Sequence, residues 1–284
     1  MIISVASGKG GTGKTTVATN LAFSVGENVR ILDCDVEEPN AHLFLAPEIE
    51  KSETVFTPVP EIDESKCTYC KKCVAICRFK AIAALGQTII TFPGMCHGCG
   101  GCMLVCPEHA ITETGRELGV METGHAGRVE FVHGRLRVGE AMAPPLIKKV
   151  RSQSDPGKIN IIDAPPGTSC PVIAATKDAD FVIMVTEPTP FGMHDLKLAV
   201  DVMKVLGVPC GLVINRSDIG DDAVREYAKK ENLPVLMEIP FDRKIAEAYS
   251  KGLLAASEFP EWREKFAGLF GKIQEMVFKG SRKG

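Results

Sequence analysis

The sequence predicts an α/β protein: a doubly wound, mostly parallel sheet with a smaller α+β unit inserted early in the chain. Three observations carry this. Short apolar runs alternate with helix-length segments over most of the 284 residues, the pattern of βα units that assemble parallel sheets. The first apolar run ends in a glycine-rich loop that leads straight into a helix. The alternation stops after about Pro58 and is re-established by Lys158, and eight of the chain's eleven cysteines lie in the gap, in two copies of one spacing.

Taken in order, Ile2 to Ala6 reads as a buried strand, and Gly8-Lys9-Gly10-Gly11-Thr12-Gly13-Lys14-Thr15-Thr16 opens a helix running to about Val25. This is G-x4-G-K-[ST] in the strand-loop-helix setting that a P-loop requires. Glycines let consecutive amides turn inward around phosphates, and the helix N-terminus adds its positive end. The pattern assigns Lys14 to the β and γ phosphates and the Thr15 hydroxyl to magnesium, so ATP and Mg2+ are the expected ligands. Val29 to Leu32 is a strand ending in Asp33-Cys34-Asp35. Acidic residues at strand ends also serve as turn formers.

The cysteines come next. Cys67, Cys70, Cys73 and Cys77 form one block, and Cys96, Cys99, Cys102 and Cys106, followed by Pro107, form the other. Each reads C-x2-C-x2-C-x3-C, a spacing that gathers three thiolates around one four-iron cube and sends the fourth elsewhere. Two [4Fe-4S] clusters are therefore expected. A disulfide framework and a pair of zinc sites are the alternatives. Zinc would leave the tight third cysteine unused, and Met1 leads straight into a strand with no leader-like segment, which favours a reducing, cytoplasmic setting. Arg78 follows Cys77 where Pro107 follows Cys106, a difference in the exit turn and not in the ligands. Pro58-Val59-Pro60 and Thr114-Gly115 bound the unit, giving an ATPase domain in two parts, 1–59 and 116–284, around an insert at 60–115. Each half of the insert is expected to end in a short helix-like turn, at Ala81-Ile82 and at Ala110-Ile111.

Beyond the insert, Arg128 to Val132 and Arg135 to Val138 read as hairpin strands bracing it. Helices follow at about Glu140 to Ser152, Met193 to Leu206, Asp221 to Glu231 and Arg243 to Ser250. Strands lie at Ile159 to Ile162, Phe181 to Thr186, Cys210 to Ile214 and Val235 to Ile239. The strand at 159–162 delivers Asp163-Ala164-Pro165-Pro166-Gly167, and an apolar strand presenting one aspartate matches a Walker B, whose carboxylate holds magnesium through water. In the last stretch, Trp262, Phe266, Leu269, Phe270, Ile273, Met276 and Val277 share a helical face. Packing on its own domain is the expectation for residues 259–279, with membrane attachment as the alternative. Charged residues at 24% and hydrophobic residues at 45% permit a sizeable core. A net charge of -3 without a basic block argues against nucleic acid as the main partner, and no apolar run reaches the roughly 18 residues of a membrane span.

Lys9-Gly10-Gly11-Thr12-Gly13-Lys14-Thr15 resembles the deviant Walker A loop of the MinD, ParA, Mrp and nitrogenase iron protein ATPases. That resemblance implies that Lys9 reaches across a nucleotide-sandwich homodimer to the partner's nucleotide. It implies that Asp33-Cys34-Asp35 is switch I, with Asp35 orienting or deprotonating the attacking water and Asp33 supporting the magnesium shell. Gly167 would offer its amide to the γ phosphate, Asn215 and Arg216 would contact adenine, and Pro240 would pack near the base. The cysteine blocks resemble two-cluster ferredoxins, in which the fourth ligands are exchanged. This implies one cluster on Cys67, Cys70, Cys73 and Cys106 and a second on Cys96, Cys99, Cys102 and Cys77. Cys170 falls seven residues after Asp163, where the nitrogenase iron protein holds a shared cluster, yet no second cysteine accompanies it. The C-terminal C-x-x-C of the Mrp carriers is absent.

Together these features imply an ATP-hydrolysing iron-sulfur protein whose nucleotide-driven dimerisation gates electron transfer to a redox or metalloprotein partner. An Mrp-like carrier or scaffold for cluster assembly and a MinD-like spatial switch are the alternatives.

Overall fold

The computed structural model describes residues 1–281, apart from the side chains of 280 and 281. Its strands, in chain order, are β1 (Ile2–Ala6), β2 (Val29–Asp33), β3 (Glu48–Ile62), β4 (Ile82–Leu85), β5 (Thr88–Thr91), β6 (Ile111–Ala126), β7 (Val129–Leu136), β8 (Ile159–Asp163), β9 (Phe181–Thr186), β10 (Cys210–Asn215) and β11 (Val235–Ile239). Nine of them form one sheet in the order β11-β10-β9-β1-β8-β2-β7-β6-β3, and β4 pairs with β5 in a separate hairpin. Neighbours from β11 to β7 are parallel, whereas β6 is antiparallel to both β7 and β3. Parallel strands covered on both faces must be apolar on both, and every residue of β9 is buried.

The helices are α1 (Lys14–Val25), α2 (Ala41–Leu45), α3 (Lys72–Ile76), α4 (Gly101–Leu104), α5 (Ala143–Arg151), α6 (Cys170–Thr176), α7 (Pro190–Leu206), α8 (Ala223–Lys230), α9 (Arg243–Ser250), α10 (Ala255–Glu258) and α11 (Pro260–Ser281). Strand alternation divides the core in two. Ile3, Ile31, Ile161 and Ile183 face α1 and α11, and Leu32, Ile162, Val182 and Met184 face α5 to α8. In α11, Trp262, Phe266, Leu269 and Ile273 are buried in the first of these layers with Val17 and Leu21 of α1. That apolar face is used inside the fold, and no helix among the described residues is long and apolar enough to cross a membrane.

The sheet's far edge carries the unexpected feature. β3 and β6 pair without interruption of the ribbon from Glu48↔His125 to Ile62↔Ile111, with two register shifts. They pass straight through residues 59–60 and 115–116, where the sequence suggested boundaries. β7 accompanies β6 as far as Gly119↔Leu136, and the Leu118 carbonyl still accepts the Arg137 N–H at 3.0 Å, so residues 111–117 and their β3 partners run on beyond β7 by about 23 Å at strand rise. Asp33, the last residue of β2, pairs with His133 of β7, which fixes the direction. The ribbon leaves the sheet at the carboxyl edge, where parallel α/β sheets bind their ligands. Its foot is tied down by Arg116 to Glu140 and by Lys149 Nζ to Glu53 at 2.8 Å.

Pro58 and Pro60 read in sequence as a break, but β3 is an edge strand, where a missing N–H costs nothing when it faces away from the partner. The ribbon holds residues 63–110 at its tip. Contrary to the expectation of helix-like turns there, Ala81-Ile82 and Ala110-Ile111 lead into strands β4 and β6, and the helical turns α3 and α4 come earlier in each half. The β-branched Ile82 and Ile111 are buried together with Ile89 and Cys73 in a small separate core, a role that suits extended backbone.

Candidate functional site

The loop between β1 and α1 wraps one end of a cavity of about 330 Å³ at the carboxyl edge. Gly11 and Gly13 hold φ of 77° and 92°, a left-handed conformation that turns successive amides to one side. Asn215 supports the loop from β10: its Nδ2 donates to the Thr12 carbonyl at 2.9 Å, and a Cβ on Gly13 would lie 2.6 Å from that nitrogen. Asn215, Arg216 and Pro240 also line the cavity, with Phe241 and Tyr249. Lys14 and Thr15 line it too, and Lys14 is buried.

Opposite the loop, adjacent strands bring Asp33 and Asp163 side by side as paired residues of β2 and β8. They do different things. The Asp33 carboxylate accepts N–H bonds from Asp35, Asn40 and Ala41 at 3.0–3.1 Å, so it shapes the loop that carries Asp35. Both Asp163 carboxylate oxygens are buried without a hydrogen-bond partner of good geometry. Burial raises the Asp163 carboxyl well above the ordinary range, against the opposing pull of Lys14 and the Thr15 hydroxyl. A buried carboxylate lacking partners and facing a hydroxyl fits a hydrated Mg2+. Burial also pushes Asp35 up to about 6, with Lys14 again opposing. It is thus charged at neutral pH and suited to accept a proton from water.

Lys9, the lysine expected to act across a dimer, is folded back onto its own chain. Its Nζ lies 3.6 Å from Glu187 Oε2, while Arg216 Nη1 lies 3.3 Å from the other oxygen of the same largely buried carboxylate. The Gly167 N–H donates to the Ser7 carbonyl at 3.0 Å, tying the segment after Asp163 to the P-loop strand. Sequence reasoning missed Glu187, and it missed Asn40, whose Oδ1 is buried and unpartnered beside Asp35. The signal for Asn40 was its place just before α2, a helix-start position.

At the ribbon tip the two cysteine blocks adopt the same backbone 29 residues apart. Left-handed residues recur in register: Tyr69 with Gly98, Lys71 with Gly100, and Lys80 with His109. So do amide-to-sulfur bonds, Ala81 N–H to Cys77 Sγ and Ala110 N–H to Cys106 Sγ, both at 3.3 Å. The sulfurs are shared between the blocks. One cavity of about 20 Å³ is lined by Cys67, Cys70, Cys73 and Cys106. Another of about 50 Å³ is lined by Cys96, Cys99, Cys102 and Cys77. Burial raises the Cys73 and Cys102 thiols, which as thiolates need a metal's charge beside them. No three His, Cys, Asp or Glu side chains among the described residues are placed to hold a single ion. Four sulfurs around a cavity, with amides aimed at the sulfur atoms, fit a multinuclear cluster. Of the other cysteines, Cys34 is buried, Cys210 half-buried, and Cys170 exposed at the start of α6.

The family of CobQ/CobB/MinD/ParA nucleotide binding domains matches residues 3–255. An uncharacterized protein of Methanocaldococcus jannaschii is 35% identical, over 89% of this chain and 90% of its own length. An iron-sulfur cluster carrier protein of Pyrococcus abyssi is 28% identical, over 99% of this chain and 88% of its own. Among solved structures, the septum site-determining protein MinD of Pyrococcus horikoshii, complexed with Mg-ADP, superposes with a TM-score of 0.61 at 21% identity, covering 97% of this chain and 96% of that one. This last likeness is one of fold.

Proposed function

The chain belongs to the CobQ/CobB/MinD/ParA nucleotide-binding family, and we propose that it is an ATPase in which nucleotide-driven homodimerisation controls electron transfer through two [4Fe-4S] clusters. The observation that carries the proposal is the ribbon. It is a hydrogen-bonded extension of the nucleotide-binding sheet, and it presents the eight cysteines on the carboxyl edge, the edge that holds the P-loop cavity. Closure of two copies over their nucleotides would therefore alter what approaches the cluster-bearing tips.

In this reading Lys14 and the loop amides would hold the β and γ phosphates, the Thr15 hydroxyl would ligate Mg2+, and Asp163 would hold the ion through water. Asp35 orients the attacking water and takes its proton, and Asp33 acts one step back by fixing the loop that carries Asp35. Lys9 must leave Glu187 to reach a partner's nucleotide, so the contact seen here belongs to the open chain. Asn215 positions the P-loop through Thr12 and meets the base side of the cavity with Arg216 and Pro240. The two cysteine sets hold the clusters with exchanged fourth ligands, and when bound the clusters supply one-electron carriers. The insert of residues 60–115 is then a ferredoxin-like unit.

The test is a single-turnover experiment on anaerobically loaded, pre-reduced protein. Reoxidation by an added acceptor should depend on whether ATP, ADP or no nucleotide is present; identical rates in all three would refute the gating. A second reading, cluster delivery, is favoured by the relatives named iron-sulfur cluster carriers. It predicts that iron moves to an apo acceptor protein, whereas the exchanged-ligand arrangement predicts that iron stays.

A further inference from the structure

The net charge of -3 conceals a strongly polar distribution. Between Ser65 and Pro107 there are five cations, Lys66, Lys71, Lys72, Arg78 and Lys80, and no Asp or Glu, in a chain that has 36 acids. Lys66 is paired with Asp63. The other four are exposed and have no ion-pair partner among the described residues. Lys72 opens α3, a helix of five residues, Lys71 precedes it, and Arg78 and Lys80 follow it, so the four lie along one short stretch of chain, with Glu108 on the cavity that Lys71 lines and Glu113 on the one that Ile76 and Phe79 line. Beside them Phe79 and Ile76 stay 40% and 44% exposed, the Phe79 ring stacks on His97 at 3.5 Å, and the ligand cysteines Cys70 and Cys99 are themselves exposed.

We propose that this face, the basic rim of α3 with Phe79 and Ile76 at its centre, is the docking surface for an acidic one-electron carrier protein. The inference rests on reading the eight cysteines as cluster ligands. An interface with an apolar centre, a charged rim and a short path to the redox centre is what such a transfer requires. The cationic rim selects the sign of the partner and speeds its approach. In the transfer the carrier's reduced cofactor loses one electron, one cluster passes from the 2+ to the 1+ state, and no bond or proton is exchanged. Nucleic acid would also be drawn to cations, and single strands stack bases on exposed aromatics, but one face of the Phe79 ring is already covered by His97, and exposed cluster ligands serve an electron carrier and not a base.

The probe is an acidic flavodoxin-type flavoprotein, with the methyl viologen radical cation as the small donor of opposite charge. The full-length, cluster-loaded chain is compared with K72E/R78E and with K229E/K230E, which makes the same charge change on α8 of the ATPase body. Binding of the oxidised flavoprotein is measured directly, and reduction of the clusters by stopped flow. For the parent, affinity and rate should each fall about tenfold or more between low salt and about 0.3 M. K72E/R78E should lose about as much at low salt while retaining its iron and its ATP hydrolysis, and viologen should reduce it no more slowly than the parent. K229E/K230E should match the parent. Equal slowing by both donors would mean that the cations only offset cluster charge, and salt-independent binding, or binding of a single-stranded oligonucleotide in preference to the flavoprotein, would overturn the docking surface. If no clusters assemble in the parent, the proposed function fails instead.

Discussion

Gly8 and Gly10 stand two residues apart in the same loop, yet the structure predicts opposite outcomes for adding one methyl group. A Cβ built on Gly8 would lie 2.2 Å from the Asp195 carbonyl oxygen, 2.4 Å from its carbon and 2.7 Å from its Cβ, against an ordinary contact of 3.4 Å or more. Asp195 is in α7, whose first turn is fixed by Thr189 accepting the Gly192 N–H, and backbone cannot rotate away as a side chain can. Loop and helix must part by about an ångström, an overpacking that costs about 1–3 kcal/mol, or about 2–10 °C in Tm for a chain of this size. The same shift displaces the phosphate-binding amides, so ATP affinity should fall as well. A Cβ on Gly10 would meet nothing within 4 Å, and Gly10→Ala should unfold within about 0.5 kcal/mol of the parent. Denaturant titration and nucleotide binding of the two variants make the comparison. If Gly8→Ala matched Gly10→Ala in stability, the close approach of α7 to the P-loop would be wrong.

Lys14→Ala should weaken ATP binding about a hundredfold, since it removes charge-assisted bonds to two phosphates; Lys9→Ala should spare binding to the monomer and depress only concentration-dependent hydrolysis, and equal binding loss in both would remove Lys9 from its trans role. Glu187→Gln frees Lys9 from a half-buried pair worth about 1 kcal/mol, so the ATP concentration that half-saturates dimer formation should drop about fivefold; an unchanged value by sedimentation would show that the pair does not restrain Lys9. Cys77→Ala should remove the cluster shared with Cys96, Cys99 and Cys102 and leave about four irons of about eight; an EPR spectrum matching Cys67→Ala, and not Cys99→Ala, would disprove the exchange. His42, beside His133 with ring centroids 5.4 Å apart, has its pKa lowered from 6.5, first by burial and then by His133 and Arg135. The fold therefore holds it neutral while the unfolded chain takes up a proton, so this stability is present above pH 6.5 and is lost as pH falls through the folded value. His42→Asn should flatten the acid slope of Tm below pH 6.5, and an identical slope would exclude His42 as its source.

The P-loop and the cysteine blocks were legible because their chemistry admits few residue types at fixed spacing. Glycine is the residue best suited to the left-handed Gly11 and Gly13, and the cysteine repeat reappears as a backbone repeat, down to the Ala81 and Ala110 amides on sulfur. Strand β3 was hidden because Pro58 and Pro60 signal a break unless the strand is known to be an edge, which is a fact of topology. The supporting role of Asp33 depends on three amides from up to eight residues onward, and no local pattern encodes it. Glu187 looks like any acid after a strand until Lys9 and Arg216 arrive from 178 residues before it and 29 after it. Arg78 and Lys80 stand out beside Cys77 in the sequence, but the basic stretch as a whole is masked because net charge averages it against the acidic remainder of the chain.

The central claim is that nucleotide and clusters are coupled through one sheet. The direct test is an anaerobic, EPR-monitored redox titration of the cluster-loaded protein, with and without a non-hydrolysable ATP analogue and Mg2+. Coupling predicts a shift in cluster midpoint potential on the order of 60 mV, about 1.4 kcal/mol for one electron. Coincident titrations would mean that nucleotide binding and cluster reduction are independent in this chain and that the shared sheet does not couple them.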